Sequence, residues 1–525
     1  MRGQFLPGTV VGRRSLLHEL AQAERIGGDR LLFRWANGEE SVGKFAQRVR
    51  RYATGLRKLG VRAGDRVATL ALPSVRYPAL WCAIAGLDAI EVPINSQLRG
   101  PILEHVLRDA DPQWVLGESA FLEPLEQFGS TLGLQIINIS GALESDWLKE
   151  PEGELHDPEA SETAAIVYTS GTTGPSKGVV LAHGYFPNFG ELWHRAFNVQ
   201  PGEVFYFAQP FFHVDIRVIV AMCLISRSAL AFAPKFSASR FWFDVQAMGA
   251  TWFGAVGAMF SAIAKHDPPP SSQIKLTRGI GAPIPEDAYA YFEDQLDIDL
   301  LCLYGQTEAD GVVFDTADRR DRGACGWTCG GFDVEIHSPD GRAMSTGETG
   351  EIVYRPLVPN MMLKGYWRRD DATVASFRDM WFHSGDLGRF DDNGLLRFVG
   401  RAKDVIRRRG ENISAYEVEL TIQGCDGVRE CAAVAVRDVI GDEDEVKVFL
   451  VLDDGAAFCA KQFFVYCRRM LPNYAVPRFV EIVSSDSAAR SAGTGAIQKH
   501  LLPRANGPAV IDRQIVESVE KQDIP

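Results

Sequence analysis

A segment rich in hydroxyl side chains and glycine has the clearest chemical potential in this sequence. Residues 168–178 read Tyr-Thr-Ser-Gly-Thr-Thr-Gly-Pro-Ser-Lys-Gly and directly follow the apolar run 164–167, which is typical of a buried strand. Backbone N–H groups, hydroxyls and one ammonium on such a loop can converge on a polyphosphate. The segment therefore predicts nucleotide binding, with a flexible surface loop as the alternative interpretation.

The lysine of this segment does not fit the common phosphate loop of NTPases. That motif requires Ser or Thr directly after Gly-Lys, whereas Lys177 follows Ser176 and precedes Gly178. The segment therefore indicates a different way of holding phosphates.

Three further polar residues have ordinary interpretations when they are read alone. Glu308 ends the stretch 304–308, Asp386 lies in a glycine turn, and Arg401 stands at an expected domain boundary. A surface carboxylate, a turn-forming aspartate and a solvated charge are the simplest interpretations of these three residues. Only their place among the further motifs below favours a functional role.

Aromatic residues around a histidine are candidates for an apolar pocket. His213 follows Phe211 and Phe212, and the stretch 252–257 reads Trp-Phe-Gly-Ala-Val-Gly. An aromatic-lined cavity suits an apolar ligand, while the alternative is a core histidine beside core aromatics.

Composition limits the partners that we expect. The chain has 525 residues and a net charge of −13, from 55 Lys+Arg against 68 Asp+Glu. An acidic balance argues against a broad nucleic-acid or membrane surface. Nine scattered cysteines without CxxC spacing favour reduced thiols. Arg13-Arg14 suggests an export signal, but a charged amphipathic helix at 18–25 follows, so we expect a cytoplasmic protein without a membrane span.

The candidate residues lie on a chain that alternates between helix and strand. Helical periodicity at 41–59, a strand at 66–72, a helix at 77–86 and a strand near 89–93 predict layered α/β sheets up to about residue 310. Short strands and glycine turns from 323 to 399 predict a β-rich subdomain. Near residue 401 we expect a boundary, followed by a smaller α+β domain.

The motifs, taken in order, resemble those of the adenylate-forming superfamily, which includes acyl-CoA ligases, carrier-protein adenylation domains and firefly-type luciferases. So many ordered matches across most of the chain are very improbable by chance. The matching stretches are 168–178, 279–283, 304–308, 347–352, 382–388, 400–406, 410–413 and 417–419.

The resemblance implies an α/β fold with two domains and an acyl-CoA ligase reaction. A large AMP-binding domain would span residues 1–400, and a small mobile domain would span 401–525. A carboxylic acid and ATP would give an acyl-adenylate and pyrophosphate, and coenzyme A would then capture the acyl group. Charge neutralisation and positioning dominate such a first step.

Family roles transfer to residues that match the family motifs. Thr307, Glu308, Lys403 and Gly410 are the implied catalytic residues. Glu308 would also bind Mg²⁺, and Lys403 is the implied hinge. An acyl pocket would comprise His213, Phe253, Gly254 and Gly281. The implied ATP or AMP contacts are Thr169, Ser170, Gly171, Thr172, Thr173, Gly174, Lys177, Gly281, Ala282, Pro283, Tyr304, Gly305, Gln306, Asp386 and Arg401.

A run of three arginines directly after the implied hinge offers a further anion contact. The guanidinium groups of residues 407–409 could meet the phosphates of coenzyme A. The alternative is a solvated strand edge.

One position departs from the family. Members normally end with a Pro-Arg-Thr-x-x-Gly-Lys-like segment whose lysine serves adenylation, but Ala496 stands at the lysine position after Gly495. Lys499 matches a different, commonly basic position. Losing one aimed donor costs on the order of 10²–10³ in rate, so a methyl group there predicts weak or absent adenylation.

Two explanations of Ala496 remain open. An engineered change would leave a full ligase with one altered residue. Natural loss would leave only thioester formation, as in non-adenylating ligases of platensimycin-type natural-product biosynthesis, which rely on a separate adenylating partner. We favour natural loss because residues 490–492 also depart from the family pattern. Acyl transfer to a carrier protein and a nucleotide-binding pseudoenzyme are the remaining alternatives.

Overall fold

A computed structural model describes residues 14–169, 176–328, 330–401, 406–408, 410–413, 415–437, 443–453, 455–484, 499, 502–503 and 505–516. The chain divides into two compact units. Unit 1 comprises residues 1–96, 110–168 and 178–402, and unit 2 comprises 97–109, 169–177 and 403–525.

The helices of the described residues are short to medium in length. They are α1 Leu16–Gly27, α2 Val42–Leu59, α3 Arg76–Ala85, α4 Gly100–Ala110, α5 Glu123–Leu132, α6 Ala142–Trp147, α7 Tyr185–Ala196, α8 Asp215–Ser226, α9 Phe241–Ala247, α10 Gly257–Ile263, α11 Glu286–Tyr289, α12 Asp370–Ser376, α13 Ala415–Gln423 and α14 Ala460–Met470.

The strands begin in unit 1 and continue through unit 2. They are β1 Leu31–Trp35, β2 Gly38–Ser41, β3 Arg66–Leu70, β4 Ile90–Pro93, β5 Trp114–Gly117, β6 Gln135–Asn138, β7 Thr163–Thr169, β8 Lys177–Ala182, β9 Val204–Phe207, β10 Ala229–Phe232, β11 Trp252–Ala255, β12 Arg278–Gly281, β13 Asp299–Gln306, β14 Ala309–Phe314, β15 Trp327–Thr328, β16 Phe332–His337, β17 Gly350–Pro356, β18 Gly365–Tyr366, β19 Phe377–Arg378, β20 Trp381–Phe390, β21 Leu396–Arg401, β22 Ile406–Arg408, β23 Glu411–Ile413, β24 Val428–Arg437, β25 Asp444–Leu452, β26 Phe479–Ile482 and β27 Ile511–Asp512.

Helix α2 shows how the sequence specifies its elements. The Ser41 hydroxyl caps the first turn by accepting from the Lys44 amide, and Gly60 ends the helix at φ 105°. Apolar residues at helical spacing, including Phe45 and Val49, are fully buried. A capped start, a left-handed glycine stop and one apolar face together favour this helix.

Two largely parallel sheets form the centre of unit 1. Within the described residues, one sheet has the order β18-β8-β7-β4-β3-β5-β6 and the other β15-β14-β13-β12-β11-β9-β10-β1-β2. Strands β9 to β13 pair in parallel with one another and are rich in apolar residues, as expected of sheets covered on both faces. The antiparallel hairpin β13–β14 extends this sheet towards the candidate site.

The β-rich subdomain is an antiparallel sheet. Strands β16, β17, β20 and β19 pair in that order, and β21 pairs with β20. In register, Asp386 of β20 lies opposite Arg401 of β21. This sheet confirms the β-rich character predicted for residues 323–399.

Unit 2 has a core and buried charges of its own. Strands β24 to β27 form one sheet and β22–β23 a hairpin. The Lys447 side chain is fully buried and pairs with Glu481 at 2.8 Å. Arg408 is also buried and pairs with Glu445 at 2.7 Å. Paired in this way, both cations can be buried in unit 2.

The structure confirms the predicted α/β fold class. The predicted helices at 41–59 and 77–86 are α2 and α3, and the predicted strands at 66–72 and near 89–93 are β3 and β4. In the part of the chain described here, none of the helices combines the length and apolar character that crossing a bilayer requires.

Candidate functional site

The end of β13 and the middle of β20 bring three polar side chains together in unit 1. The Tyr304 hydroxyl and the Gln306 amide nitrogen each donate to Asp386 Oδ2 at 2.8 Å. Gln306 also donates to the Ser384 carbonyl at 3.0 Å. Three residues predicted to contact the nucleotide therefore form one hydrogen-bonded cluster.

The backbone at Asp386 is fixed by neighbouring residues as well. The Asp386 N–H donates to Ser384 Oγ at 3.0 Å, and the Ser384 hydroxyl donates to the Ile352 carbonyl at 2.6 Å. Between them, the Gly385 N–H donates to Glu351 Oε1 at 3.1 Å, and φ at Gly385 is 74°. A left-handed glycine and the Glu351 carboxylate thus shape the turn that aims Asp386.

The Tyr304 hydroxyl stays a donor over a wide pH range. Burial, with the Asp386 charge as the next cause, raises the pKa of Tyr304 well above its usual value. A buried phenol beside a carboxylate keeps its proton and donates it in a hydrogen bond.

Thr307 and Glu308 follow this cluster in the turn between β13 and β14. The Tyr366 hydroxyl donates to Glu308 Oε1 at 2.7 Å, and the Leu363 N–H donates to the Glu308 carbonyl at 2.9 Å. The Tyr185 hydroxyl donates to the Thr307 carbonyl at 2.9 Å. Both residues are therefore fixed by partners from α7 and the segment around β18.

Close backbone approach requires glycine at two predicted site positions. A Cβ on Gly281 would lie 1.8 Å from the Ala255 carbonyl oxygen, and one on Gly305 would lie 2.3 Å from the Gly311 nitrogen. The pairing of β13 with β14 shifts register between Tyr304 and Gln306, as at a β-bulge. No side chain fits at either glycine without moving a backbone.

The donor set suits Mg²⁺ bound together with a nucleotide. Among the described residues, no group of three or more His, Cys, Asp or Glu side chains could hold a metal alone. Mg²⁺ commonly keeps several waters and uses one or two carboxylates together with substrate phosphates. The single Glu308 carboxylate, already oriented by Tyr366, fits that mode.

The hydroxyl-rich segment is described at its two ends. Thr169 ends β7 and Lys177 begins β8. Within unit 2, the Ser176 N–H donates to Glu417 Oε1 at 2.6 Å, the Ser176 hydroxyl donates to the same oxygen, and the His105 ring lies 2.9 Å from the Ser176 carbonyl. Burial raises the pKa of Glu417.

The predicted acyl-pocket residues lie in different surroundings. The partly exposed His213 ring lies 4.4 Å from the Phe212 ring, centre to centre. Phe253 is fully buried and packs against Phe241, Phe260 and Phe292 in a core cluster. The Phe253 ring therefore packs in the core, and the assignment of His213, Phe253, Gly254 and Gly281 to an acyl pocket stays a prediction.

Arg408, one of the predicted contacts to coenzyme A, is engaged inside unit 2. Arg408 Nη1 donates to the carbonyls of Tyr474 at 2.9 Å and Val476 at 3.0 Å, besides its pairing with Glu445. The expectation that all three arginines face an anion is therefore wrong for Arg408. Gly410 adopts φ 77°, which explains glycine at this turn.

Lys499 is engaged within unit 2. Its ammonium lies 2.6 Å from Glu419 Oε1, which also accepts from the Ala433 N–H. Burial raises the pKa of Glu419 despite the opposing charge of Lys499. This pairing gives Lys499 a structural task.

Several predicted site residues lie outside the described part of the chain, or have side chains outside it. They are Ser170, Gly171, Thr172, Thr173, Gly174, Lys403, Ala496 and the side chain of Arg401. The sequence analysis assigned no role to the partners Tyr185, Glu351 and Tyr366. Glu351 lies in the matching stretch 347–352, which was a usable signal, whereas Tyr185 and Tyr366 lie outside the matched stretches.

Known sequence families match most of the chain. The family described as AMP-binding enzyme matches residues 21–367, and the family described as AMP-binding enzyme C-terminal domain matches residues 417–492.

Similar curated proteins cover nearly the full length. A feruloyl-CoA synthase of an Amycolatopsis species is 32% identical over 97% of this chain and 100% of its own length. A crotonobetaine/carnitine–CoA ligase of Salmonella typhimurium is 27% identical over 90% of this chain and 96% of its own length.

Solved structures share the fold. ATP-bound MatB from Rhodopseudomonas palustris is 26% identical with a TM-score of 0.68, covering 92% of this chain and 97% of its own. A double mutant of o-succinylbenzoate CoA synthetase from Bacillus subtilis is 22% identical with a TM-score of 0.83, covering 94% and 99%, a likeness of fold alone.

Proposed function

Because the chain belongs to the AMP-binding enzyme family, we propose that it is an acyl-CoA ligase that forms thioesters from a hydrophobic carboxylic acid. ATP, Mg²⁺ and coenzyme A are the cofactors and co-substrates of this chemistry. The feruloyl and carnitine ligases among its relatives support this reaction class.

The cluster of Tyr304, Gln306 and Asp386 beside Glu308 is the observation that carries the proposal. In the adenylate-forming reaction an acid carboxylate oxygen bonds to the α-phosphorus of ATP and pyrophosphate leaves. The sulfur of coenzyme A then bonds to the acyl carbon and AMP leaves. Both steps need a nucleotide held in one orientation.

Each residue has a separate task in this proposal. Asp386, aimed by Tyr304 and Gln306, accepts hydrogen bonds from the ribose hydroxyls, and Arg401 assists from the opposite strand. Thr307 would hold the α-phosphate, and Glu308 would hold Mg²⁺, which would supply neutralisation of phosphate charge. Thr169, Lys177 and the hydroxyls between them hold the outer phosphates.

We further propose that adenylation is weak or lost while thioester formation is retained. Ala496 provides a methyl group where the family supplies a lysine. Lys499 is paired with Glu419, and this pairing argues against Lys499 as a substitute. The acyl-adenylate would then come from a separate adenylating partner, and Lys403 and Gly410 would serve the thiol-accepting state.

Two assays test the two halves. In the first, the protein receives ATP, Mg²⁺, coenzyme A and a panel of acids, and released pyrophosphate is measured. In the second, it receives synthetic acyl-adenylates of the same acids with coenzyme A, and thioester is measured. We expect turnover only in the second assay.

The outcomes separate the alternatives. Robust pyrophosphate release would contradict the loss of adenylation and leave a full ligase. Thioester formed on carrier-protein phosphopantetheine but not on coenzyme A would identify a carrier-protein ligase. No thioester from any adenylate would contradict the ligase proposal and favour a nucleotide-binding pseudoenzyme.

A further inference from the structure

A buried ion pair joins helix α8 to strand β4 in unit 1. Arg217 lies in the first turn of α8, and Glu91 lies in β4. Arg217 Nη2 and Nε lie 2.6 Å and 3.0 Å from Glu91 Oε2. The two side chains are 1% and 3% exposed, so the pair is shielded from water.

The remaining Arg217 donors reach the backbone in front of α8. Arg217 Nη1 donates to the His213 carbonyl at 3.0 Å and to the Phe211 carbonyl at 3.4 Å. These two carbonyls lie on both sides of Phe212, in the turn between β9 and α8. One guanidinium therefore holds both ends of the segment that presents His213.

Other side chains fix the position of the pair. Thr69 Oγ1 donates to Glu91 Oε1 at 2.9 Å and lies 3.2 Å from the Tyr77 hydroxyl. The guanidinium carbon of Arg217 lies 4.6 Å from the centre of the Trp81 ring. The guanidinium is thus oriented from three sides by β4, α3 and the 211–213 segment.

Stability alone is a weak explanation for such a pair. Burying two charges costs desolvation energy, and replacing a buried pair with apolar residues of similar volume is often neutral or stabilising. An apolar pair could fill this space but could not hold the carbonyls of Phe211 and His213. The feature specific to Arg217 is therefore the geometry of the 211–213 segment.

We propose that Arg217, locked by Glu91, is a positioning residue that sets the orientation of His213 and thereby the fit of the acyl group. The inference rests on the proposed ligase function, with His213 at the acyl pocket. Arg217 acts through the backbone and does not touch substrate. Its removal loosens the acyl group while nucleotide and coenzyme A contacts are unchanged.

The test uses the double variant Glu91→Leu/Arg217→Met of the full-length protein, which removes both charges together. A second arginine–glutamate pair of unit 1, Arg48 with Glu40 at 3.0 Å and 2.6 Å, gives the control Glu40→Leu/Arg48→Met. Steady-state kinetics are measured with the best acyl-adenylate of an aromatic and aliphatic panel and with coenzyme A. Hydrogen–deuterium exchange of peptides covering residues 209–217 is measured in parallel.

We expect the Arg217 variant to lose roughly ten- to hundred-fold in kcat/KM for the acyl-adenylate, as a small misplacement near the reacting group can cause. The KM for coenzyme A should stay within about two-fold of the wild-type value, because the variant changes none of the contacts that bind coenzyme A. Exchange in residues 209–217 should accelerate, and the control pair should change neither quantity.

Unchanged exchange and unchanged kinetics in the Arg217 variant would overturn the inference. If that variant fails to fold, Glu91→Gln, which keeps the size and one acceptor, is measured instead, with the same two criteria deciding. If the wild-type protein turns over no adenylate, the proposed function fails, and the exchange measurement alone still decides whether Arg217 fixes the 211–213 segment.

Discussion

The Tyr366 hydroxyl donates to Glu308 Oε1 across 2.7 Å, although the two residues lie 58 positions apart in the chain. Both are buried. Burial, and then the Glu308 charge, raise the pKa of Tyr366, so the phenol keeps its proton. In Glu308, the proposed Mg²⁺ ligand, Oε1 therefore accepts the hydrogen bond from Tyr366, and Oε2 is the oxygen proposed to contact the metal ion.

Tyr366→Phe should destabilise unit 1 more than Tyr185→Phe. Both changes delete a hydroxyl, but Tyr366 donates to a carboxylate and Tyr185 to a backbone carbonyl. Hydrogen bonds to charged groups contribute roughly 1.5–3 kcal/mol and neutral ones about 1 kcal/mol. Urea unfolding followed by tryptophan fluorescence measures the difference. Equal losses would show that the Glu308 charge adds nothing to this contact.

Asp386→Asn should weaken nucleotide binding without unfolding the protein. The variant keeps the shape but loses the charge that Tyr304 and Gln306 donate to. We expect AMP affinity to fall roughly ten-fold or more, since a charge-assisted hydrogen bond is about twice as strong as a neutral one. Calorimetric titration with AMP measures the effect. Asp392→Asn, at an exposed position, is the control. An equal loss of AMP affinity in that variant would contradict a specific role for Asp386.

Stability should depend on the protonation of Asp315. Burial raises the pKa of this carboxyl to about 7 from a usual value of 3.8. The folded state therefore binds this proton more tightly than the unfolded state does, and protonation of Asp315 stabilises the fold. This stabilisation is complete below about pH 4 and is lost as the pH rises through about 7. Asp315→Asn removes this dependence while keeping an acceptor for the Cys302 N–H.

The Asn variant should gain stability relative to wild type as the pH rises from about 5 to about 8. Urea midpoints at the two pH values provide the comparison. The exposed Asp318→Asn should shift both midpoints alike. If the difference in urea midpoint between wild type and Asp315→Asn is the same at both pH values, the raised pKa of Asp315 is contradicted.

Ala496→Lys should restore adenylation if the lysine alone is missing. An aimed cation at a developing negative charge is commonly worth on the order of 10²–10³ in rate. Pyrophosphate release with ATP and the best acid should rise by that factor, while thioester formation from the preformed adenylate should stay the same. Ala492→Lys serves as the control for added charge. No gain in pyrophosphate release would mean that residues 490–492 must also be restored.

Local patterns predicted the elements well because they depend on neighbours in sequence. The helix at 41–59 has its cap, its apolar face and its glycine stop within one stretch, and the structure has α2 there. Ordered motifs singled out Tyr304, Gln306 and Asp386 as candidates, and the structure joins these three residues of two motifs by hydrogen bonds. Their roles towards a nucleotide stay a prediction.

The supporting contacts could not be read from the sequence. Arg217 lies in a strongly apolar helix, and nothing nearby indicates that its partner is Glu91, 126 positions earlier. Arg408 shows the reverse error, since a basic run suggested an anion site but the side chain is buried against Glu445. Whether a charge points to solvent, ligand or core is decided by packing between distant segments.

Ser176 donates its N–H and its hydroxyl to a single oxygen of Glu417. A phosphate arriving at this end of the hydroxyl-rich segment would compete for the same two donors. In the proposed nucleotide complex, the Glu417 carboxylate and a phosphate would therefore be competing acceptors for Ser176. Occupancy of this end of the segment would then depend on where α13 places Glu417 within unit 2.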